Sequence, residues 1–292
     1  MHQQIRKLTR YIPVRTLADP VNGLMTLLGY DRRAPEWLVS ESVGGLPAME
    51  LDVSSPFQRK MFYFPRAYWN RLLGLPFGRF LAGEVRPGWS FLDIGSNIGF
   101  YTLFAAQRAG PTGRVHAFEP DPTTFESVSR SCTRNGFDWA TCHNMALSNR
   151  EGELPFFVTS GGSAHSLVSE IPERAGRYSG RVNVQVKTLD SLVRDGVVAV
   201  PRVDLIKIDV EGEEARTVAG MKEALKGWSL PRVWAEVRGP KGSTRAPNTF
   251  PAVYAELGPL GYVAHEWQRG QLRVVTEADI VGREDVLFIP KR

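Results

Sequence analysis

The run Phe91-Leu92-Asp93-Ile94-Gly95-Ser96-Asn97-Ile98-Gly99-Phe100 decides how the rest of the chain is read. An apolar strand carries an acid into a glycine-punctuated turn, and a helical pattern (Phe100, Leu103, Phe104, Ala106, Gln107) leaves it. This is the strand–turn–helix crossover of a doubly wound α/β sheet. Glycines at 95 and 99 allow backbone angles that a side chain forbids and a close approach to a ligand. The dinucleotide fingerprint Gly-x-Gly-x-x-Gly is broken by Ser96-Asn97-Ile98-Gly99. A phosphate-cradling loop would end in Gly-Lys-Ser/Thr, and no lysine is present.

Strand and helix alternate downstream of that turn. Strands are expected at Phe91–Ile94, Arg114–Glu119, Ala140–Leu147, Asp204–Val210 and Arg232–Val237. Helices are expected at Gly99–Arg108, from Asp121 or Pro122 to about Asn135-Gly136, at Leu189–Arg194, at Gly212–Lys226 and from about Pro251 to Leu257. The rhythm breaks between 151 and 188, where Glu153–Thr159 and Val182–Thr188 alternate like an inserted antiparallel pair around a Gly/Ser-rich segment. Tyr262–Glu266 and Val286–Pro290 read as a closing antiparallel pair, and Lys241–Asn248 as a polar loop. Before the sheet, short helices are expected at Ile5–Tyr11 and Val21–Leu28, a strand or hairpin over 51–64 from the β-prone Met61-Phe62-Tyr63-Phe64, and helices at Tyr68–Leu73 and Pro76–Leu81. The chain thus divides into an N-terminal appendage, 1–86, and a catalytic-looking domain, 87–292.

Of 292 residues, 42% are hydrophobic and 23% charged, enough for one large α/β domain with a full core. Cys132 and Cys142 cannot build a disulfide framework, and lacking nearby His/Cys partners they read as reduced thiols of a cytoplasmic protein. The net charge of +5 sits in residues 1–90, with twelve Lys/Arg against seven Asp/Glu; the remainder balances at 24 of each. That basic segment could steer an anionic substrate or touch a membrane peripherally, although no polybasic cluster is present. No stretch approaches a transmembrane span of about 18 apolar residues.

Ligands of an open parallel sheet sit beyond the carboxyl ends of its strands. Asp93 and Gly95, Glu119, Asn144 to Leu147, Asp209 and Glu236 all fall on or near such ends. An acid ending the second strand, as Glu119 does within Phe118-Glu119-Pro120, can accept both ribose hydroxyls of an adenosine ligand. Taken together, Asp-Ile-Gly-Ser-Asn-Ile-Gly-Phe-Tyr-Thr, Phe-Glu-Pro, Asn-Met-Ala-Leu-Ser, Thr-Leu-Asp and Asp-Leu-Ile-Lys-Ile-Asp-Val-Glu-Gly resemble the FkbM family of S-adenosylmethionine (SAM)-dependent methyltransferases. The likeness covers about residues 88 to 240. It implies a Rossmann-like class I methyltransferase fold with a seven-stranded, mostly parallel sheet whose last strand is antiparallel. It further implies SAM as cofactor, S-adenosylhomocysteine as product, and O-methylation of a small-molecule or glycan hydroxyl. On this reading Asp93, Gly95, Ser96, Asn97, Gly99, Phe100 and Tyr101, with Glu119 and Pro120, hold SAM. Asn144, Ala146 and Leu147 then lie near the adenine.

A hydroxyl acceptor needs a base. The candidates are Asp209, His165 and Glu236, with His143 and His265 behind them. Lys207 shares a strand face with Asp209 and can keep that carboxylate ionised; the alternative role for Asp209 is to cap the following helix. His165 lies in the Gly/Ser-rich insert, which would close over the site. Asp209, Glu211 and Glu236 offer oxygens to Mg²⁺, but methyl transfer does not require a metal, and this option is not favoured. Phe57, Phe62, Tyr63, Phe64, Tyr68 and Trp69 form a small core or line an acceptor pocket. Three other classes compete: an NAD-dependent oxidoreductase, a nucleic-acid methyltransferase and a non-catalytic SAM-binding module. The 95–99 turn argues against the first. The neutral catalytic half and the lack of an Asn-Pro-Pro-Tyr-type motif argue against the second, so no nucleic-acid partner is expected.

Overall fold

The computed structural model describes residues 36–159, 178–238, 248–268, 270–280 and 283–291. The expected helices at Ile5–Tyr11 and Val21–Leu28, the loop at 241–247 and His165 lie outside these residues. Five parallel strands form the centre of the main sheet: β3 (Ser90–Ile94), β4 (Arg114–Phe118), β5 (Ala140–His143), β9 (Leu205–Ile208) and β10 (Arg232–Arg238). They are followed by β11 (Tyr262–Gln268), β12 (Gln271–Val274) and β13 (Arg283–Pro290). The order across the sheet is β12-β11-β13-β10-β9-β3-β4-β5, with β13 antiparallel to both of its neighbours. Seven of these strands match the expectation. The eighth, β12, is a short edge strand paired back on β11, which its Gln-Leu-Arg-Val sequence did not announce.

Successive strand residues face opposite layers, as a sheet covered on both sides requires. Phe91, Leu205, Trp234 and Leu287 point into one apolar core; Leu92, Ile206, Val233, Val286 and Phe288 point into the other. The second core is covered by α6 (Leu189–Arg194), α7 (Glu214–Ala219), α8 (Lys222–Gly227) and α9 (Phe250–Leu257). The first is covered by α1 (Pro56–Tyr63), α2 (Pro65–Gly74), α3 (Pro76–Glu84), α4 (Phe100–Ala109) and α5 (Pro122–Arg134).

The segment before the sheet is therefore built into the first core. Each of α1, α2 and α3 opens on proline, which has no N–H to lose at the first helical position. Trp69 of α2 meets Phe100 edge-on at 4.6 Å, and Phe77 of α3 meets Tyr101 at 4.7 Å and Trp234 at 5.0 Å. Such pairs contribute roughly 1 kcal/mol each beyond their buried area. The short hairpin of β1 (Trp37–Ser40) and β2 (Met49–Asp52) is fastened to α5: Ser131 Oγ accepts from the Glu50 amide and Asn135 Oδ1 from that of Ala48.

Three local expectations fail, each for a visible reason. Met61-Phe62-Tyr63 is helical, because Pro56 opens α1 and a helix buries Gln58, Met61 and Phe62 along one face. Ala140–Leu147 is two strands, not one. The chain turns at Asn144, where the Met145 amide donates to the His143 carbonyl, and β6 (Ala146–Leu147) then joins a separate sheet. That sheet pairs β6 with β8 (Tyr178–Lys187), and β8 with β7 (Gly152–Thr159) as the expected antiparallel pair. Gly212–Lys226 is broken into α7 and α8. A side chain at Gly220 would stand 2.0 Å from the Ser148 carbonyl oxygen, so this glycine is where α7 abuts the end of β6. Asp190 Oδ1 then accepts from the Ala224 amide and starts the second piece.

Candidate functional site

Strand order reverses between β3 and β9: β4 and β5 lie to one side, β10 to the other. This switch point is where open α/β sheets bind ligands. Gly95 (φ 79°), Asn97 (φ 50°) and Gly99 (φ 85°) turn the chain above it. A Cβ on Gly95 would lie 1.9 Å from the Asp209 carbonyl oxygen, so β3 and β9 can meet there only through a glycine. The Gly95 and Ser96 amides both donate to the Phe118 carbonyl, and Asn97 Oδ1 accepts from the Ile98 amide. Three amides of the turn are thus satisfied within the protein itself.

Two cavities open on this rim. The first is lined by Gly95, Asn97, Glu119, Met145, Phe156 and Glu211, among others. The second, about 550 Å³, lies under α1 and α2, with Gly95, Ser96, Phe100, Tyr101 and Lys207 on its floor. Gly95, Asn97 and Asp209 border both.

Glu119 is buried in the wall of the first cavity. Its carboxylate accepts from the Asn97 amide at 2.9 Å and the Asp121 amide at 2.9 Å. Burial outweighs those two donors and pushes its pKa up to about 8. Asn144 sits behind it, not on the cavity wall, donating to the Glu119 and Pro120 carbonyls. Ala146 and Leu147 line the cavity, as does Phe156 of the inserted sheet, which had no sequence signal.

Beneath the turn lies a buried charge relay. Lys207 Nζ stands 3.3 Å from Asp93 Oδ1 and 3.5 Å from Asp209 Oδ2, and donates to the Gly95 carbonyl at 3.1 Å. Thr102 Oγ1 donates to the other Asp93 oxygen at 2.6 Å. Burial alone would depress the Lys207 pKa, but the Asp93 and Asp209 carboxylates overcome it and hold the ammonium above its ordinary value. Asp93 itself is fully buried and borders neither cavity. Strand alternation points it down toward α4, where it meets Lys207 and Thr102. Gly99 likewise borders neither cavity and packs on Val128. Asp209 turns to Lys207; α7 has Glu213 at its cap position, so Asp209 does not cap it.

Asp209, Glu211 and Glu236 bring carboxylate oxygens within 4.8 Å of one another. Asp285 on β13 is paired in register with Glu236 and raises the Tyr101 phenol together with burial, the larger cause. Sequence reading missed Asp285, because the strand begins three residues before the expected Val286–Pro290. His143 and His265, the reserve bases, do not fit that role. His143 is buried against His116, with Nδ1 of His116 3.0 Å from Nε2 of His143. His265 is turned to its own strand through the Val263 carbonyl. Cys132 and Cys142 are free thiols with sulfurs 3.8 Å apart.

Opposing protonation effects follow from these burials. Burial pushes both His116 and His143 down to about 4, with each other's charge adding to the effect on His116. Neutral imidazoles in the fold and an unfolded pKa near 6.5 mean that stability is complete above pH 6.5 and is lost as pH falls toward 4. Glu119 acts in the opposite sense, giving up stability as pH rises from about 4.5 through about 8. Glu214, also buried with its pKa raised, acts in the same sense as Glu119, so between pH 6.5 and 4.5 two carboxyls regain stability against the loss of about 2 kcal/mol at each imidazole. Urea midpoints measured across that range should change little in the native chain. They should rise as pH falls when both histidines are replaced by Gln, because the two carboxyls then act unopposed; parallel curves would exclude the pair as a cause.

Does the first cavity suit a nucleoside? Glu119 is an acceptor-only group when ionised, matching hydroxyl donors, and Ile94, Phe118, Leu147 and Phe156 offer apolar faces for a base. Gly95 and Asn97 bring the turn's backbone to the edge of the same cavity. The fit is good. A strand order reading 3-2-1-4-5-7-6 with a reversed seventh strand, a glycine turn after the first strand and an acid ending the second define a SAM-dependent methyltransferase of the Rossmann-like class I fold. Residues 93–264 match the Methyltransferase FkbM domain, and the chain belongs to that family. It is 30% identical over 214 residues to methyltransferase sdnD of Sordaria araneosa, covering 63% of this chain and 79% of that one. Hexuronic acid methyltransferase AglP of Haloferax volcanii is 28% identical over 51% of this chain and 56% of its own length. The 31-O-demethyl-FK506 methyltransferase FkbM of Streptomyces tacrolimicus is 28% identical over 55% of this chain and 69% of its own. No described helix is long and apolar enough to cross a membrane.

Proposed function

We propose that the chain transfers the methyl group of SAM to a hydroxyl oxygen of a small molecule or glycan. The observation that carries this reading is the shared border of the two cavities at Gly95, Asn97 and Asp209. A donor in the first cavity and an acceptor in the second would meet there. Relatives named for 31-O-demethyl-FK506 and for a hexuronic acid support an oxygen acceptor of this kind.

SAM supplies a methyl group already attached to a good leaving group, so the protein's task is alignment and proton removal. Glu119 would accept the ribose hydroxyls, Met145 to Leu147 and Phe156 would flank the base, and Gly95 and Asn97 would border the reacting end. Tyr101 and Phe100 form the floor on the acceptor side. Asp209, held by Lys207 and reaching both cavities, takes the acceptor's proton at a carboxylate oxygen. Glu236, within 4.8 Å of the Asp209 group, receives the proton next on its way to solvent. The same carboxylates have the oxygen chemistry Mg²⁺ prefers, but the sulfonium donor carries its own leaving group and methyl transfer does not require a metal, so Mg²⁺ has the subordinate place.

Titration with S-adenosylhomocysteine tests the donor half. Because Glu119 is protonated in the free protein below about pH 8 and must accept hydroxyls when the nucleoside binds, binding at pH 7 is expected to release close to one proton. Calorimetry in buffers of different ionisation heat reads that number directly. Glu119→Ala should weaken binding at least tenfold, and unchanged affinity in that variant would overturn the assignment.

A further inference from the structure

The acceptor cavity is polar at its inner end and apolar along its length. The inner end holds Asp209, on the border with the donor cavity, and Lys207, whose ammonium lies 5.8 Å from the Tyr101 ring centroid. The α1–α2 side supplies a wall of Phe57, Met61 and Leu72, facing Phe100 and ending at Leu75. Exposure rises along it: Phe100 and Met61 are buried, Phe57 and Leu72 half-buried, and Leu75 is 41% exposed. Three polar side chains around the cavity are already engaged within the protein. Lys207 serves Asp93, Asp209 and the Gly95 carbonyl, Asn97 Oδ1 accepts from the Ile98 amide, and Lys60 has a partner of its own. Arg71 is exposed and keeps its charge in water.

We propose that the methyl acceptor is a hydroxyl borne on a largely apolar body, and not a sugar: the hydroxyl meets Asp209 while the body lies along Phe57, Met61 and Leu72 and leaves past Leu75. The inference narrows the reading above and rests on the second cavity being the acceptor site. A carboxylate has about four lone-pair positions, so Asp209 can hold Lys207 and still accept from one hydroxyl. A polyol brings several hydroxyls, and each one buried against this wall without a partner costs roughly tenfold in affinity. Each CH₂ moved from water onto the same wall gains up to about fourfold. The two effects act in one direction and select the end that enters as well as the molecule. The polar group goes in toward the only polar end, which puts the hydroxyl where the methyl donor is met. A volume of about 550 Å³ is ample for a chain or ring system of drug-like size.

The test is calorimetric binding to the full chain saturated with S-adenosylhomocysteine. The probes are 1-butanol, 1-hexanol, 1-octanol and, as the polyol, methyl β-D-glucoside. The expected result is an affinity that rises by about twofold or more with each added CH₂, and a glucoside at least about tenfold weaker than 1-octanol. In the Leu72→Ser/Leu75→Ser variant 1-octanol should weaken by about fivefold or more while 1-butanol, too short to reach the mouth, changes by less than about twofold. Leu75→Ser alone, at an exposed position, serves if the double variant does not fold, with a smaller loss confined to 1-octanol. Affinity for S-adenosylhomocysteine should be unchanged in either variant, since neither residue borders the donor cavity. Binding that does not depend on chain length would overturn the proposal, as would a glucoside that binds as tightly as 1-octanol. A chain-length gain that survives the substitutions, or no binding by any alcohol with S-adenosylhomocysteine bound, would overturn it too. Failure of the native chain to bind S-adenosylhomocysteine at all would instead overturn the methyltransferase site on which the inference rests.

Discussion

Replacing Lys207 with Ala is expected to destabilise the fold by roughly 3–5 kcal/mol, the cost of stranding a buried charge without its partner. Asp93 is completely enclosed, and Lys207 Nζ is the only cation near it among the described residues; Thr102 satisfies just one of its two oxygens. The lysine also ties the Gly95 carbonyl to β9, so its loss loosens the turn as well as the charge. Urea denaturation of the variant should show the midpoint falling with little change in slope. Adding Asp93→Asn to a Lys207→Met background should recover much of the loss, because the uncompensated charge is then gone. A single-variant loss under about 1 kcal/mol would mean that water, not Lys207, balances Asp93.

Asp209→Asn should lower kcat by roughly 10² to 10⁴ while leaving the affinity for S-adenosylhomocysteine within a few-fold of the native value. The amide keeps the shape of the carboxylate and can still accept from Lys207, but it cannot take a proton from the acceptor. Its position at the border of both cavities means that any base elsewhere would have to work at longer range. The discriminating measurement is a pair of curves, turnover and product affinity, on one preparation. Retained turnover would move the base to Glu236 or to His165, in the segment between 159 and 178. Lost affinity would make Asp209 a cofactor ligand instead of a base.

Much of this was legible in the chain because it is written locally. The strand–turn–helix at 91–100, the acid in Phe118-Glu119-Pro120 and the Lys207/Asp209 alternation are short-range patterns, and each keeps its geometry in the fold. What was illegible depends on partners far away in sequence. The pairing of Asp93 with Lys207, 114 residues on, could not be read from its own neighbourhood. Met61-Phe62-Tyr63 has the composition of a strand, and only its burial against the first core selects a helix. The break at Gly220 follows from the Ser148 carbonyl, and the split at Asn144 from a sheet completed by β8. Glycine announces the need for close approach, but not what approaches.

The strand β13 carries a consequence for how the molecule comes into being. It is the wedge between β10 and β11, yet it is made after both. Until residues 283–290 leave the ribosome, β11 and β12 have no seat, and the edge of β10 bearing Glu236 stays unzipped. The acidic end of the cleft therefore cannot close before β13 has been made, which makes its assembly depend on long-range pairing.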